Sequence, residues 1–314
     1  MRKSLRFVST RCAICQSEAN ADQLYSANFD ESAFNPAVFS ARRLPDRIHY
    51  RLVRCRSCGL VRSDPVVDPE VIHQLYTRSS FDYDTEVGGL RVTYGRYLAR
   101  LERCGARPGA LLEIGGGNGF FLEEALRQGY QTVKGIEPSQ AAIDRADPAI
   151  KPHLVCDIAR PGLFPADSFD VICMFHVFDH LPDPSAVLDE CLRLLRPGGL
   201  LLCICHDVDA PSSRVFRERS PIIDIEHTYL YGPTTGARIF RDHSFVVQSV
   251  GPVWNVYALR YIAQLMPLPT RLKRSLLAAL QAGRLGAIQL ALPLGNMYLV
   301  ARKPADRASA EPST

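Results

Sequence analysis

A glycine-rich segment between acidic residues is the first part of the sequence whose residue types could do chemistry. Glu113 precedes Gly115-Gly116-Gly117-Asn118-Gly119, and Glu137 follows 22 residues after Gly115. Glycines adopt positive φ angles and let a ligand approach the backbone where no Cβ stands in the way. A carboxylate such as Glu137 can accept hydrogen bonds from both hydroxyls of a ribose. The segment therefore predicts a site for a nucleotide-like ligand, with a tight turn that holds no ligand as the alternative.

Two Cys-x-x-Cys pairs near the start of the sequence have the spacing of metal ligands. They are Cys12/Cys15 and Cys55/Cys58. With two residues between them, both sulfurs of a pair reach one tetrahedral ion, so the four thiolates predict a structural Zn²⁺ site. The 39 residues between the pairs exceed the usual spacing of about 15–20, so this connection is expected to have structure of its own. A thioredoxin-like redox pair is the alternative, but its strand–helix context is missing.

A regular alternation of apolar strands and amphipathic helices surrounds the glycine-rich segment. Apolar runs predict strands at 110–114, 131–137, 154–157, 169–175 and 200–205, with two more at 245–253 and 297–302. Strands that are apolar throughout and alternate with helices are typical of a parallel sheet covered on both faces. The predicted fold class is therefore α/β, a doubly wound sheet. In such sheets ligands bind beyond the carboxyl ends of the strands, where the glycines lie.

The domain organisation is predicted from these patterns and from the cysteine pairs. Residues 1–65 are expected to be a small Cys₄ zinc-binding region, and 66–107 a helical connector that acts as a cofactor lid. Residues 108–303 are expected to form the sheet domain, with a helical insertion at about 255–292. The small polar residues of 304–314 predict a flexible tail.

Composition and charge exclude several classes of protein. Hydrophobic residues make up 46% and charged residues 22%, close to the average for globular proteins, so disordered and fibrous classes are excluded. The net charge is +4, with basic excesses in residues 1–62 and 255–303 that favour an anionic ligand or surface near these ends. This net charge is too small to argue for nucleic acid. No apolar run reaches the ~20 residues of a membrane span, we find no secretory signal, and six further cysteines fit a reducing compartment. We therefore expect a cytoplasmic location.

The acid-x-Gly-x-Gly-x-Gly spacing resembles motif I of the class I S-adenosylmethionine-dependent methyltransferases. The dinucleotide fingerprint Gly-x-Gly-x-x-Gly fits less well, because Phe120 or Leu122 stands where it needs a small residue. A nicotinamide-dependent dehydrogenase is thus the less favoured alternative. The resemblance implies a Rossmann-like, mostly parallel sheet with an antiparallel last strand. It also implies a cofactor site made of Glu113, Gly115, Gly116, Gly117, Gly119, Glu137, Pro138, Asp157, Ile158, Phe175 and His176.

Together, the cysteine pairs and this motif resemble bacterial methyltransferases with an N-terminal zinc-binding region, among them the sugar C-methyltransferases. The residues that carry the resemblance are Asp64-Pro65 after the second cysteine pair, Leu75-Tyr76, Phe81/Tyr83, and Glu226-His227-Thr228-Tyr229. It implies that His227 is the general base with Glu226 beside it, since an imidazole titrates near neutral pH. Tyr76 and Tyr83 would close over the cofactor or act as bases. A loop histidine that caps a helix is the alternative for His227.

Two departures from the family pattern limit what it implies. The sugar C-methyltransferases place a tyrosine where this chain has Asp224, which leaves C-, O- and N-methylation open. Some quinone O-methyltransferases bind a divalent metal through an acidic version of the loop at 176–180. In this chain we favour a role for that loop in stabilising the fold or lining the substrate.

The predicted function is an S-adenosylmethionine-dependent methyltransferase that acts on a small, anionic metabolite such as a nucleotide-linked sugar or a related glycan precursor. The alternatives are an RNA methyltransferase whose zinc region grips nucleic acid, and a non-catalytic partner that retains the fold. The basic amphipathic stretch 271–285 predicts a helix packed on its own domain. A peripheral membrane helix is the less favoured interpretation of that stretch, and no sequence feature predicts an oligomeric state.

Overall fold

The computed structural model describes residues 5–30, 47–77 and 87–305. In this part of the chain a seven-stranded sheet carries helices on both faces, and a four-stranded sheet and two short ribbons lie around it. The N-terminal elements are the strands β1 (Phe7–Val8), β2 (Ala21–Tyr25), β3 (Leu52–Cys55), β4 (Val61–Ser63) and β5 (Val66–Val67), followed by the helices α1 (Pro69–Thr77) and α2 (Val87–Arg100).

The central elements alternate between strand and helix. They are β6 (Ala110–Ile114), α3 (Phe120–Arg127), β7 (Thr132–Ile136), α4 (Gln140–Asp144), β8 (Leu154–Val155), β9 (Phe169–Phe175), α5 (Pro184–Leu194) and β10 (Leu195–His206). The remaining elements are α6 (Pro211–Phe216), β11 (Tyr229–Leu230), α7 (Pro233–Asp242), β12 (Val246–Pro252), β13 (Asn255–Ala258), α8 (Leu259–Leu265), α9 (Thr270–Ala282), β14 (Gln289–Leu292) and β15 (Asn296–Arg302).

The central sheet has the strand order β12-β15-β10-β9-β6-β7-β8. The five strands from β10 to β8 are parallel, and β15 runs antiparallel to both of its neighbours. The central strands β6, β9 and β10 are apolar and buried because helices cover both faces of the sheet. The predicted doubly wound, Rossmann-like methyltransferase sheet with an antiparallel last strand is confirmed.

Helix α2 covers one face of this sheet. Its apolar residues Leu90, Tyr94, Tyr97 and Leu98 are each no more than 4% exposed, and their spacing of three and four residues places them on one side of the helix. They pack with Phe121 of α3 in one cluster of buried side chains.

The four-stranded N-terminal sheet is completed by a strand from much later in the chain. Its order is β11-β4-β3-β2, and Tyr229 of β11 pairs with Arg62 of β4. The Ser63 N–H donates to the Thr228 carbonyl at 2.9 Å, and the Ser63 hydroxyl donates to the His227 carbonyl at 2.7 Å. The region with the cysteine pairs is thereby built directly onto the segment that contains His227.

Residues 259–292 contain α8, α9 and β14 and are here called the peripheral lobe. Within it, α9 packs against α8, since the Lys273 ammonium donates to the Gln264 carbonyl at 2.8 Å. None of the thirteen residues of α9 is buried. Over the described ranges, no helix is both long and apolar enough to cross a bilayer.

Candidate active site

The turn after β6 is held against the end of the neighbouring strand β7. The N–H groups of Gly115 and Gly116 both donate to the Ile136 carbonyl, at 2.8 and 3.0 Å. Gly115 has a φ of +80°, and a Cβ at this position would overlap Cγ2 of Val177. Only glycine fits this position without strain. Its backbone, which carries no side chain, lines the cavity described below.

Two carboxylates flank this glycine turn. Glu137 accepts hydrogen bonds from the N–H groups of Gly117 at 2.9 Å and Ser139 at 2.8 Å, so each of its oxygens keeps a lone pair for a ligand. Glu113 is 3% exposed, and its Oε2 has no hydrogen-bond partner among the described residues. Burial, together with the negative charge of Glu137, raises the pKa of Glu113 well above its ordinary value. Such a pair suits a ligand that carries positive charge and ribose hydroxyls, as S-adenosylmethionine does.

Asp157 and Ile158 follow the end of β8. The Asp157 carboxylate accepts from its neighbour's N–H at 2.8 Å and from the Arg160 guanidinium at 2.6 and 3.0 Å. Ile158 is 47% exposed although it is apolar. A large exposed side chain at the rim of a cavity is available to cover the face of a base.

An aromatic pair, Tyr94 and Phe175, lines the cavity described below together with the glycine turn. The rings of Tyr94 and Phe175 are stacked, with centroids 4.1 Å apart and an angle of 8° between their planes. Tyr94 belongs to no motif that predicts a site. Its place in the cavity wall depends on where α2 crosses the sheet, which the helical spacing does not indicate.

One cavity of about 880 Å³ contains these features. Its lining includes twelve of the predicted site residues: Glu113, Gly115, Gly116, Gly117, Glu137, Pro138, Asp157, Ile158, Phe175, His176, Glu226 and His227. Gly119 does not line it; this residue caps α3 with a φ of +76°. Tyr83 and the side chain of Tyr76 lie outside the described residues, so their predicted roles stay predictions.

Four histidines line the same cavity: His176, His180, His206 and His227. The ring centroids of His176 and His206 are 5.0 Å apart, those of His206 and His227 4.6 Å, and those of His180 and His227 4.8 Å. His176 follows β9 with a φ of +54°, a conformation that is uncommon for residues other than glycine and is found more often at functional sites. His206 ends β10.

Asp179 lies at the centre of these imidazoles and is fully buried. Its carboxylate accepts from the His206 backbone N–H at 3.2 Å, and its carbonyl accepts from the N–H groups of Thr228 and Tyr229. Burial alone would raise the pKa of Asp179, but the surrounding imidazoles, His206 first, hold it well below its ordinary value. Burial also lowers the pKa of His180 to about 3, so this ring is neutral at physiological pH.

The hydrogen bonds of two imidazoles define which nitrogen faces the cluster. Nδ1 of His227 lies 2.8 Å from the Ile222 carbonyl, so Nδ1 carries the proton and Nε2 is a free acceptor. In the same way, Nδ1 of His206 donates to the Asn296 side-chain oxygen at 2.8 Å. Donor atoms of His176, Asp179 and His206 lie within 4.8 Å of one another, as do those of Asp179, His180 and His227, so either trio could hold a divalent ion.

The four predicted zinc ligands meet at one point of the N-terminal region. Their sulfurs lie within 4.8 Å of one another, with 3.4 Å between Cys12 and Cys58 and 3.9 Å between Cys15 and Cys55. Four Zn–S bonds of about 2.3 Å in a tetrahedron place the sulfurs roughly 3.8 Å apart. Burial alone would raise the pKa of the Cys55 thiol, but N–H donors from Cys58 and Ser57 hold it at about 7.

Several residues of the cavity carried no recognisable motif. Tyr257, Tyr261 and Ile262 come from the insertion and line the cavity, but nothing in their local sequence indicates a site. His206 could have been found, because it follows the fifth strand at the carboxyl end where ligands bind. The predicted strand ended one residue too early, at Cys205.

The sequence matches the model of the methyltransferase domain family over residues 90–250. This span is half of the chain, and it includes the glycine turn, Glu137 and the histidine loop. The chain belongs to this family, and its central sheet has the strand order expected of the class I methyltransferase fold.

Curated relatives carry more specific names. The chain is 30% identical over 123 residues to a ubiquinone biosynthesis O-methyltransferase of Neisseria meningitidis serogroup A, a match that covers 37% of this chain and 50% of the relative. It is 32% identical over 162 residues to the protein of the same name from Bradyrhizobium sp., covering 45% and 64%. The matches thus span less than two thirds of either relative.

Similar solved structures were also found. One is a SAM-dependent methyltransferase from Archaeoglobus fulgidus, with a TM-score of 0.45 and 19% identity over 68% of this chain and 94% of that one. Another is an N-methyltransferase from Haemonchus contortus in complex with S-adenosylhomocysteine, with a TM-score of 0.46 and 18% identity over 71% and 58% of the two chains.

Proposed function

We propose that the protein transfers the methyl group of S-adenosylmethionine to a hydroxyl oxygen of a small, uncharged acceptor with an apolar body. The observation that carries this proposal is that the glycine turn and the imidazole cluster line the same cavity. Bound S-adenosylmethionine supplies a methyl group attached to a sulfonium. The leaving group is a neutral thioether, so no acid is needed to expel it. The chain must align the acceptor oxygen with that methyl group and remove the acceptor's proton.

The cofactor end of the cavity is proposed to act through Glu137 and the glycine turn. The remaining lone pairs of Glu137 accept from the ribose hydroxyls while its bonds to Gly117 and Ser139 keep it in place. Glu113 Oε2, buried without a partner among the described residues, takes a donor from the positively charged amino acid part of the ligand.

His227 is proposed as the general base. Its Nε2 carries the lone pair that accepts the hydroxyl proton, because the Ile222 carbonyl fixes the tautomer. The ionised Asp179, which lies within the same cluster, stabilises the imidazolium that forms. Glu226 lines the cavity beside His227 and is proposed to contact the acceptor.

The acceptor class follows from the remaining lining. Val66, Ile72, Leu90, Ile262 and Leu265 present apolar side chains to the cavity, and its described lining contains no lysine or arginine. A nucleotide-linked sugar carries phosphates that need such cations, so this lining favours an uncharged acceptor over the anionic metabolite expected from the sequence. Transfer to oxygen agrees with the names of the two curated relatives.

We also propose that Cys12, Cys15, Cys55 and Cys58 hold a structural Zn²⁺. The donor set and the sulfur separations support it. No open coordination position is needed, because the four thiolates complete a tetrahedron. The ion would hold together a region too small to form a core of its own.

The test is a methyl-transfer assay with wild-type protein, labelled S-adenosylmethionine and a panel of hydroxylated acceptors. The panel contains phenols and catechols with apolar substituents, and nucleotide sugars. We expect a mass gain of one CH₂ group in the phenols. His227→Gln is expected to lower kcat by about 10²–10⁴-fold with unchanged affinity for S-adenosylhomocysteine.

His153→Gln is the matched control, since this half-buried histidine lies outside the cluster, and it should leave kcat unchanged. Methylation of nucleotide sugars but not of phenols would overturn the acceptor class and leave methyl transfer standing. Absence of any product across the panel, with cofactor binding intact, would contradict catalysis itself.

A further inference from the structure

The outer surface of the peripheral lobe, residues 259–292, combines exposed apolar side chains with cations. Twelve large apolar side chains are exposed in the described part of the chain, and five of them lie between residues 272 and 290. They are Leu272, Leu276, Leu285, Ile288 and Leu290, at 36–55% exposure. Scattered exposed leucines are ordinary, but such a concentration on one small lobe marks an interaction surface.

Helix α9 shows how these side chains are arranged. Leu272, Leu276 and Ala279 recur at i, i+4 and i+7 and are exposed, whereas Leu277 and Leu280, on the side of Lys273 that faces α8, are half-buried. The helix thus has one apolar stripe toward its own lobe and a second apolar stripe that is exposed. A helix buried on one side only would carry polar residues along that second stripe.

The charge of the lobe is of one sign. Residues 255–303 contain seven lysines and arginines and no aspartate or glutamate. Arg260, Arg271, Arg274 and Arg284 are exposed, and none of them forms a salt bridge with another described residue. Long arginine side chains can lay their aliphatic parts on an apolar surface while the guanidinium reaches phosphate groups.

We propose that this lobe docks on an anionic phospholipid bilayer. Interleaved leucines and arginines on a short surface helix match the boundary between acyl chains and anionic headgroups. A second copy of the chain fits less well, because a symmetric contact through this face would place its arginines against one another. The inner side of the lobe supports the proposal, since Tyr261, Ile262, Leu265 and Met266 line the cavity. An apolar acceptor could therefore pass from the bilayer to the cavity along α8, a step that rests on the proposed function, whereas the docking does not.

The experiment is co-sedimentation of the full-length protein with vesicles of phosphatidylcholine, with and without about one third phosphatidylglycerol. We expect binding to the anionic vesicles only, weakened when the salt concentration rises from ~0.1 to ~0.5 M. Each arginine near the surface contributes about fivefold to the partition coefficient, so Arg271→Gln/Arg274→Gln should lower it by roughly 25-fold. Leu272→Gln/Leu276→Gln should lower binding without changing the salt dependence.

The matched control is Leu126→Gln, which replaces an exposed leucine on α3 at 39% exposure and should bind vesicles as the wild type does. Thermal melts of all variants show whether they fold. Equal binding of wild type and both double variants would overturn the proposal. The proposal would also be overturned if the wild type did not bind anionic vesicles but formed a dimer in solution, and Leu272→Gln/Leu276→Gln dissociated that dimer. The lobe would then be a self-association surface. Because this assay needs no acceptor, its failure leaves the proposed methyl transfer untouched.

Discussion

At the scale of single residues, Glu137 connects the shape of the glycine turn with the binding of the ligand. Its two oxygens hold the N–H groups of Gly117 and Ser139, which fixes the carboxylate before any ligand arrives. A preorganised acceptor loses little freedom on binding, and hydrogen bonds to charged groups contribute about 1.5–3 kcal/mol each.

Replacing Glu137 by alanine should therefore weaken cofactor binding strongly. We expect Glu137→Ala to raise the Kd for S-adenosylhomocysteine by roughly 30- to 1000-fold, which corresponds to about 2–4 kcal/mol. Isothermal titration calorimetry measures this directly. Glu137→Gln, which keeps one carbonyl oxygen for the turn, should lose less, and a wild-type Kd in the alanine variant would rule out the assigned role.

The histidine cluster explains why residue roles were harder to predict than the cofactor turn. The motif at 113–119 is local, so its function could be predicted from a few consecutive residues. His176 and Asp179 lie in one loop, whereas His206 and His227 come from two other segments. The three segments meet only because β9 and β10 are neighbours and because Asp179 binds the backbone of Thr228. Neither contact has a signature in the sequence.

At the scale of elements, the β6–α3 turn depends on close packing as well as on backbone conformation. A side chain at Gly115 meets two separate obstacles, its φ of +80° and the side chain of Val177. Gly162 has a similar φ of +93° but open space around it, so it reports the conformational strain alone.

Gly115→Ala is accordingly expected to lower the free energy of unfolding by about 2–4 kcal/mol, combining strain and overlap. Gly162→Ala should cost only about 1–2 kcal/mol. Adding Val177→Ala to Gly115→Ala should recover the part due to overlap, as a double-mutant cycle in urea unfolding would show. If Gly115→Ala and Gly162→Ala lower the free energy of unfolding equally, the overlap with Val177 contributes nothing to it.

Helices and strands could be predicted from the sequence where their buried residues form a recognisable pattern. The central strands could be predicted from their continuous apolar runs between helical patterns, because both faces of these strands are covered. β11 has two residues, too few to show a period, so its pairing with β4 could not be predicted. The sequence of α8 likewise contains no period or motif that indicates its place in the cavity wall.

At the scale of the whole molecule, hydrogen bonds join the cysteine region to the sheet domain. β11 closes the N-terminal sheet, and Ser63 binds the carbonyl of His227. Arg62, 1% exposed, donates to the carbonyls of Thr10 and Glu18, which ties the first cysteine pair to the same strand. Substitutions of the metal ligands should therefore disturb the position of the proposed base, His227.

We expect one zinc ion per chain by atomic emission spectroscopy, and Cys58→Ser to lower both metal content and thermal stability. Methyl transfer should fall as well, because the segment around His227 loses its support. Cys104→Ser, at a half-buried cysteine outside the cluster, should retain metal, stability and activity. A Cys58→Ser protein with full zinc content would contradict the assignment of the four ligands.

The pairing of β4 with β11 also restricts how such chains can be recombined. The ladder joins residues 61–62 to 229–230, more than 160 positions apart in the sequence. A crossover between homologous genes anywhere within that interval would give a chimaera whose two ladder partners come from different parents. Hybrids that inherit both segments from one parent should therefore keep this ladder intact.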